Sequence, residues 1–81
     1  MNTQTEMLNA IKYAEEKSEE YIKEKCANQV SFDEIKKKAL KESVSDIDYY
    51  NKLRNGVIEK VAEYTGESID AVNEEFIRNY Y

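Results

Sequence analysis

The sequence predicts an all-α fold. The expected architecture is a compact bundle of three to four helices with a C-terminal helical hairpin, in a single domain over residues 1–81. Three observations point there. Apolar residues recur at steps of three and four along most of the chain. Proline is absent and there are only two glycines, which suits helices and not a turn-rich sheet. Ser or Thr also stands three residues before an acid at Thr3/Glu6, Ser31/Glu34 and Ser45/Asp48, the signature of a helix start.

The first helix opens at Thr3, with Glu6 as the reciprocal capping-box acid, and ends near Ala27. Met7, Ile11, Ala14, Ser18, Tyr21 and Ile22 make its inner stripe, with Leu8 and Cys26 beside it. The outer face carries Glu15, Glu16, Glu19, Glu20 and Lys23. Glu19 and Lys23 form a favourable i,i+4 pair, whereas Glu16 and Glu20 repel.

In "VSFDEI" Ser31 caps a second helix, and Val30 and Ile35 occupy the positions of a hydrophobic staple. Asp33 suits the positive end of the helix dipole. The expected buried face is Phe32, Ile35, Ala39 and Leu40. "VSDIDY" repeats the arrangement, with Val44 and Tyr49 as the staple around cap Ser45, so the second helix ends near Ser43. The residues that follow do not match, so the echo is recurrent capping chemistry and not an internal repeat.

Asn55-Gly56 is a dipeptide that often breaks a helix. The apolar phase nevertheless runs through it, from Ile47 and Tyr50 to Leu53, Val57, Val61 and Tyr64. One helix over residues 46–64 is therefore expected. Gly56 weakens it by ~1 kcal/mol relative to Ala and leaves room for another helix to approach. Gly66 is the expected left-handed C-cap and Ser68 the start of the last helix. Ile69, Val72, Phe76, Ile77 and Tyr80 would form that helix's inner face.

Composition narrows the function classes. Leu, Ile, Val and Phe together supply 17 of the 81 residues, a small aliphatic core supplemented by seven Tyr. No apolar run of membrane-spanning length is present, and no signal peptide is read. One cysteine, Cys26, excludes an intramolecular disulfide and the usual multi-cysteine zinc sets. A reduced, cytoplasmic protein is expected. Lys, Asn, Ile and Tyr are abundant, and their AT-rich codons associate the sequence with a bacterium, phage or mobile element. The net charge is −5. It is unevenly spread: six acids face three bases over residues 1–24, three face five over 25–45, and eight face four over 46–81.

No catalytic, metal or cofactor constellation emerges. Histidine is absent, removing the commonest general base and metal ligand. No phosphate-binding glycine loop, nucleophile elbow or EF-hand loop is present. Cys26 has Lys23 and Lys25 nearby, which favours a thiolate, but burial as a small apolar residue is the expectation. An enzyme is not expected.

"VAEYTGESIDAV" resembles the helix-turn-helix in its small residue Ala62, turn glycine Gly66 and apolar anchor Val72. It departs at Glu67 and Glu75, where apolar residues are usual. Its second helix would bring Asp70, Glu74 and Glu75 against phosphates, with only Asn73 and Arg78 to make contacts. Duplex DNA is thus disfavoured, and the spacing is read as a tight αα-hairpin. A DNA-binding transcriptional regulator using residues 57–78 is the alternative reading. The basic cluster Lys36, Lys37, Lys38 and Lys41 is a candidate contact for phosphate or an acidic protein. Tyr49 and Tyr81, each adjacent to a Tyr on the apolar phase, are the candidate protein-binding residues. The primary expectation is a small non-catalytic protein-binding module, a regulator or inhibitor. Its partner would be another protein, with a homo-oligomer as a further option and no membrane.

Overall fold

The computed structural model describes residues 3–80, with the side chains of residues 5–79. Four α-helices follow one another: α1 Thr3–Cys26, α2 Phe32–Glu42, α3 Asp46–Thr65 and α4 Ile69–Tyr80. No strand occurs among the described residues. The long α1 and α3 pack most closely, and α2 and α4 flank that pair without touching each other.

The boundaries follow from capping. Ser31 Oγ accepts from the Glu34 N–H at 3.4 Å, and Ser45 Oγ accepts from the Asp48 N–H at 3.1 Å. Ser68 Oγ does the same for Ala71 at 3.1 Å. Each satisfies a first-turn donor that the helix itself leaves unpaired. Gly66 ends α3 at φ +79°, its N–H donating to Ala62 O at 2.9 Å, the left-handed cap expected of this residue. The proposed box at Thr3 involves a side chain outside the described set. Two non-glycine residues, Ala27 at φ +47° and Asn28 at φ +63°, turn the chain out of α1. Asn tolerates that region, whereas Ala is strained there.

α3 passes through Asn55-Gly56 unbroken. A β-carbon at Gly56 would stand 3.0 Å from Ile35 Cγ2. The glycine is thus where α2 closes onto α3, and it is a side chain, not backbone, that occupies the space. On α1, Ser18 is fully buried on the same stripe as Ala14, Tyr21 and Ile22, and its hydroxyl has no hydrogen-bond partner among the described residues.

The core is built from Ile11, Tyr21, Ile22 and Cys26 of α1, Phe32, Ile35 and Ala39 of α2, and Tyr49, Leu53, Val57, Ile58, Val61 and Ala62 of α3. Val72 and Phe76 of α4 complete it. The Tyr21 and Phe76 rings meet at 4.9 Å between centroids, tilted by 45°. Cys26 is fully buried, and burial pushes its thiol pKa up despite the neighbouring lysines.

Several inner-face expectations are corrected. Leu8, Leu40, Ile47, Tyr64, Ile69 and Ile77 are exposed. Ile47, Tyr64 and Ile69 lie in the end turns of their helices, where fewer neighbours cover them. Leu40 stands apart from the Phe32, Ile35 and Ala39 set that reaches the core. The Val44–Tyr49 staple does not form, because Val44 is exposed and Tyr49 enters the core.

No helix among the described residues is long and apolar enough to cross a membrane.

Candidate protein-binding surface

The corner between α2 and α3 is built by two adjacent capping events. Ser43 closes α2: its N–H donates to Ala39 O at 3.0 Å and its Oγ to Leu40 O at 3.1 Å. Ser45 opens α3. Only Val44 lies between these caps. Its N–H donates to Asp48 Oδ2 at 3.0 Å, so its backbone is tied down. Its side chain is 91% exposed. Asp48 also accepts from Lys52 Nζ at 2.9 Å, and the same ammonium donates to Glu42 O at 2.8 Å, fixing the corner to the body of α3. That ammonium, with the Val44 N–H, holds the Asp48 carboxyl below the usual carboxylate range.

Other apolar side chains gather at this end. Leu40 is 53% exposed and Ile47 59%. Leu40 in the last turn of α2 and Ile47 in the first turn of α3 flank Val44, so three large aliphatic side chains are exposed within eight residues at this corner, more than the scattered single exposures that need no explanation.

An open groove of about 1030 Å³ runs between α2 and α3 and reaches the corner at Glu42 and Lys52. Its floor is Ile35, Ala39 and Gly56, and its walls carry charges of both signs, among them Glu34, Lys38, Glu59 and Lys60.

The sequence-nominated residues are not brought together. Tyr49 is corrected: it is only 6% exposed, and its hydroxyl donates to Glu15 Oε2 at 2.9 Å. α3 is contacted by all three other helices, so its buried arc is wide enough to take in Tyr49 while Tyr50 stays at the margin. Burial, then the Glu15 carboxylate, hold the Tyr49 phenol well above its ordinary pKa. Tyr81 lies outside the described residues. The lysine run is divided by helix geometry. Lys36 turns to α1 and pairs with Glu15, Lys38 lines the groove, and Lys37 and Lys41 point outward.

Both proposed DNA-contacting residues are engaged within the fold. Asn73 Oδ1 accepts from Arg54 Nη2 at 2.9 Å, and Arg78 pairs with Glu74 at 3.1 Å. Glu75 accepts from the Tyr21 hydroxyl at 2.8 Å and pairs with Lys25 at 2.9 Å, closing α4 onto α1. Lys25 and then Tyr21 depress the Glu75 pKa. Ala62 and Val72 are buried at the α3–α4 crossing, as a tight hairpin requires. Among the described residues, no three His, Cys, Asp or Glu side chains converge as a metal site would need.

The three corner residues, Leu40, Val44 and Ile47, were all read from sequence as core or staple. The two serines around Val44 were the available signal, since consecutive caps leave the residue between them no helix on which to pack.

No protein-family model matches the chain, nor does any curated protein or solved structure.

Proposed function

We propose that this chain is a small non-catalytic protein-binding module that acts by occupying another protein. The observation that carries the reading is the aliphatic corner of Leu40, Val44 and Ile47. An exposed apolar cluster of this kind gains free energy when a partner removes it from water, at roughly 25 cal/mol per Å² buried. The corner is held by hydrogen-bonded caps on both sides of Val44, so little ordering cost accompanies binding there. The chain's cytoplasmic setting and its role as a regulator or inhibitor of bacterial or phage origin belong to this proposal, and rest on composition.

The test compares wild type with Val44→Asp, using the immobilised full chain as bait in host lysate and sedimentation velocity for self-association. A partner or dimer retained by wild type and lost by a Val44→Asp protein of unchanged helicity supports the reading. Equal retention by both proteins removes the corner as the site.

A further inference from the structure

At Gly56 an unbroken apolar phase accompanies an unbroken helix. At Gly66 the phase also holds, yet the helix stops. Ile58, Ala62, Thr65, Ile69, Val72 and Phe76 follow one another at steps of four, three, four, three and four, the spacing of one helical stripe. The pattern therefore suits a single helix across residues 58–76 as well as it suits the hairpin. What selects the hairpin is local. Gly66 takes φ +79°, Ser68 Oγ caps Ala71, and Thr65 Oγ1 accepts from the Glu67 N–H at 3.3 Å. The hairpin leaves apolar surface behind. Thr65 and Ile69, the two middle members of the stripe, lie in solvent, Ile69 55% exposed, and Tyr64 beside them is 49% exposed.

The ties of α4 to the bundle are Val72 and Phe76 in the core, Glu75 on Tyr21 and Lys25, and Asn73 on Arg54. The receiving groups belong to α1 and α3. A second copy of the chain presents all of them in the same arrangement. We infer that α4 is exchangeable between two copies of this chain. Residues 65–68 open into helix, α3 and α4 join, and each α4 docks on the α1 and α3 of the other copy. The contacts of α4 are kept, and only the hinge changes. A two-fold axis then passes between the joined helices near residue 66, where Thr65 and Ile69 of the two copies meet and leave solvent. Like charges oppose the exchange in the native sequence. Glu67 follows Glu63 by four and precedes Asp70 by three, so a single helix would align these acids, and each chain carries −5. Wild type should therefore be monomeric when dilute at low salt, with the dimer growing as salt and concentration rise. The exchange is independent of the corner of Leu40, Val44 and Ile47.

Gly66→Ala tests it. Among the described residues, a β-carbon at this position meets no atom within 4 Å, so the substitution acts through the backbone alone. Ala is strained at positive φ and is the better helix former. Two hinges change per dimer, so the association constant in sedimentation equilibrium should rise ~100-fold or more over wild type, with helicity kept. Gly66→Asn, which tolerates the left-handed region, should stay close to wild type. Gly66→Ala dimers refolded from equal parts of isotope-labelled and unlabelled chain should show NOEs between chains for the Tyr21 and Phe76 rings, whose centroids are 4.9 Å apart. Adding Val44→Asp should leave this dimer intact, which separates it from association through the corner. A Gly66→Ala protein that is monomeric at millimolar concentration, folded or not, overturns the inference, since a strained hinge with the exchange open to it would take it. So does a dimer whose Tyr21–Phe76 NOEs all lie within one chain, a dimer equally strong in Gly66→Asn, or a dimer lost on adding Val44→Asp.

Discussion

Replacing Tyr21 by Phe should uncouple α4 from α1 without emptying the core. The Tyr21 ring is fully buried against Phe76, and Phe keeps that packing. What is lost is the hydroxyl, which donates to Glu75 at 2.8 Å and more distantly to Val72 O at 3.4 Å. A hydrogen bond to a charged group contributes about 1.5–3 kcal/mol. Here the lower end applies, and solvent reduces it further: Glu75 lies at the rim and keeps Lys25 at 2.9 Å as its second partner. A loss of ~1 kcal/mol at neutral pH is expected, or ~4–8 °C in Tm for a domain of this size. The loss should depend on pH. The pKa of Glu75 is depressed in the folded state, so the stability it contributes is present above the ordinary carboxylate range. That contribution disappears as pH falls through the folded value. Urea denaturation of wild type and Tyr21→Phe, at neutral pH and at pH ~3, measures both effects. The expected result is a gap of ~1 kcal/mol that shrinks in acid. A gap that is absent at neutral pH, or equally large in acid, would refute the assignment of the stabilisation to an ionised Glu75.

Three further outcomes follow from the same structure. Ser18→Ala should stabilise by ~1 kcal/mol or more in chemical denaturation, because the buried hydroxyl has no partner among the described residues and Ala is the better helix former. Ala27→Gly should raise the melting temperature by relieving up to ~1 kcal/mol of strain at φ +47°, partly offset by the greater entropy of unfolded glycine. Tyr21 and Tyr49 have phenols raised above the usual value near 10, so the stability they contribute is complete below that value and lost as pH rises beyond it. Melting followed by circular dichroism should show an alkaline loss in wild type that is smaller in a Tyr21→Phe, Tyr49→Phe double variant.

What the sequence by itself determined is what depends on near neighbours in the chain. Ser31, Ser45, Ser68 and Gly66 bond to groups three or four residues away, so their roles as caps were legible before any tertiary contact was considered. The unbroken phase through Gly56 predicted one long α3, since apolar periodicity reports the local helical repeat directly. Tertiary structure alone decided how wide each buried arc is and where it stops. A 3.6-residue period gives the centre of a stripe, not its edges, and the edges depend on how many partners a helix meets. α3 meets three, so Tyr49 was drawn into the core with its hydroxyl on Glu15. Leu40 and Ile47 lie where their helices run out of neighbours, and they remained in solvent with Val44. The apolar corner is a product of helices ending, and hydrophobic periodicity contains no information about which neighbours cover such an end.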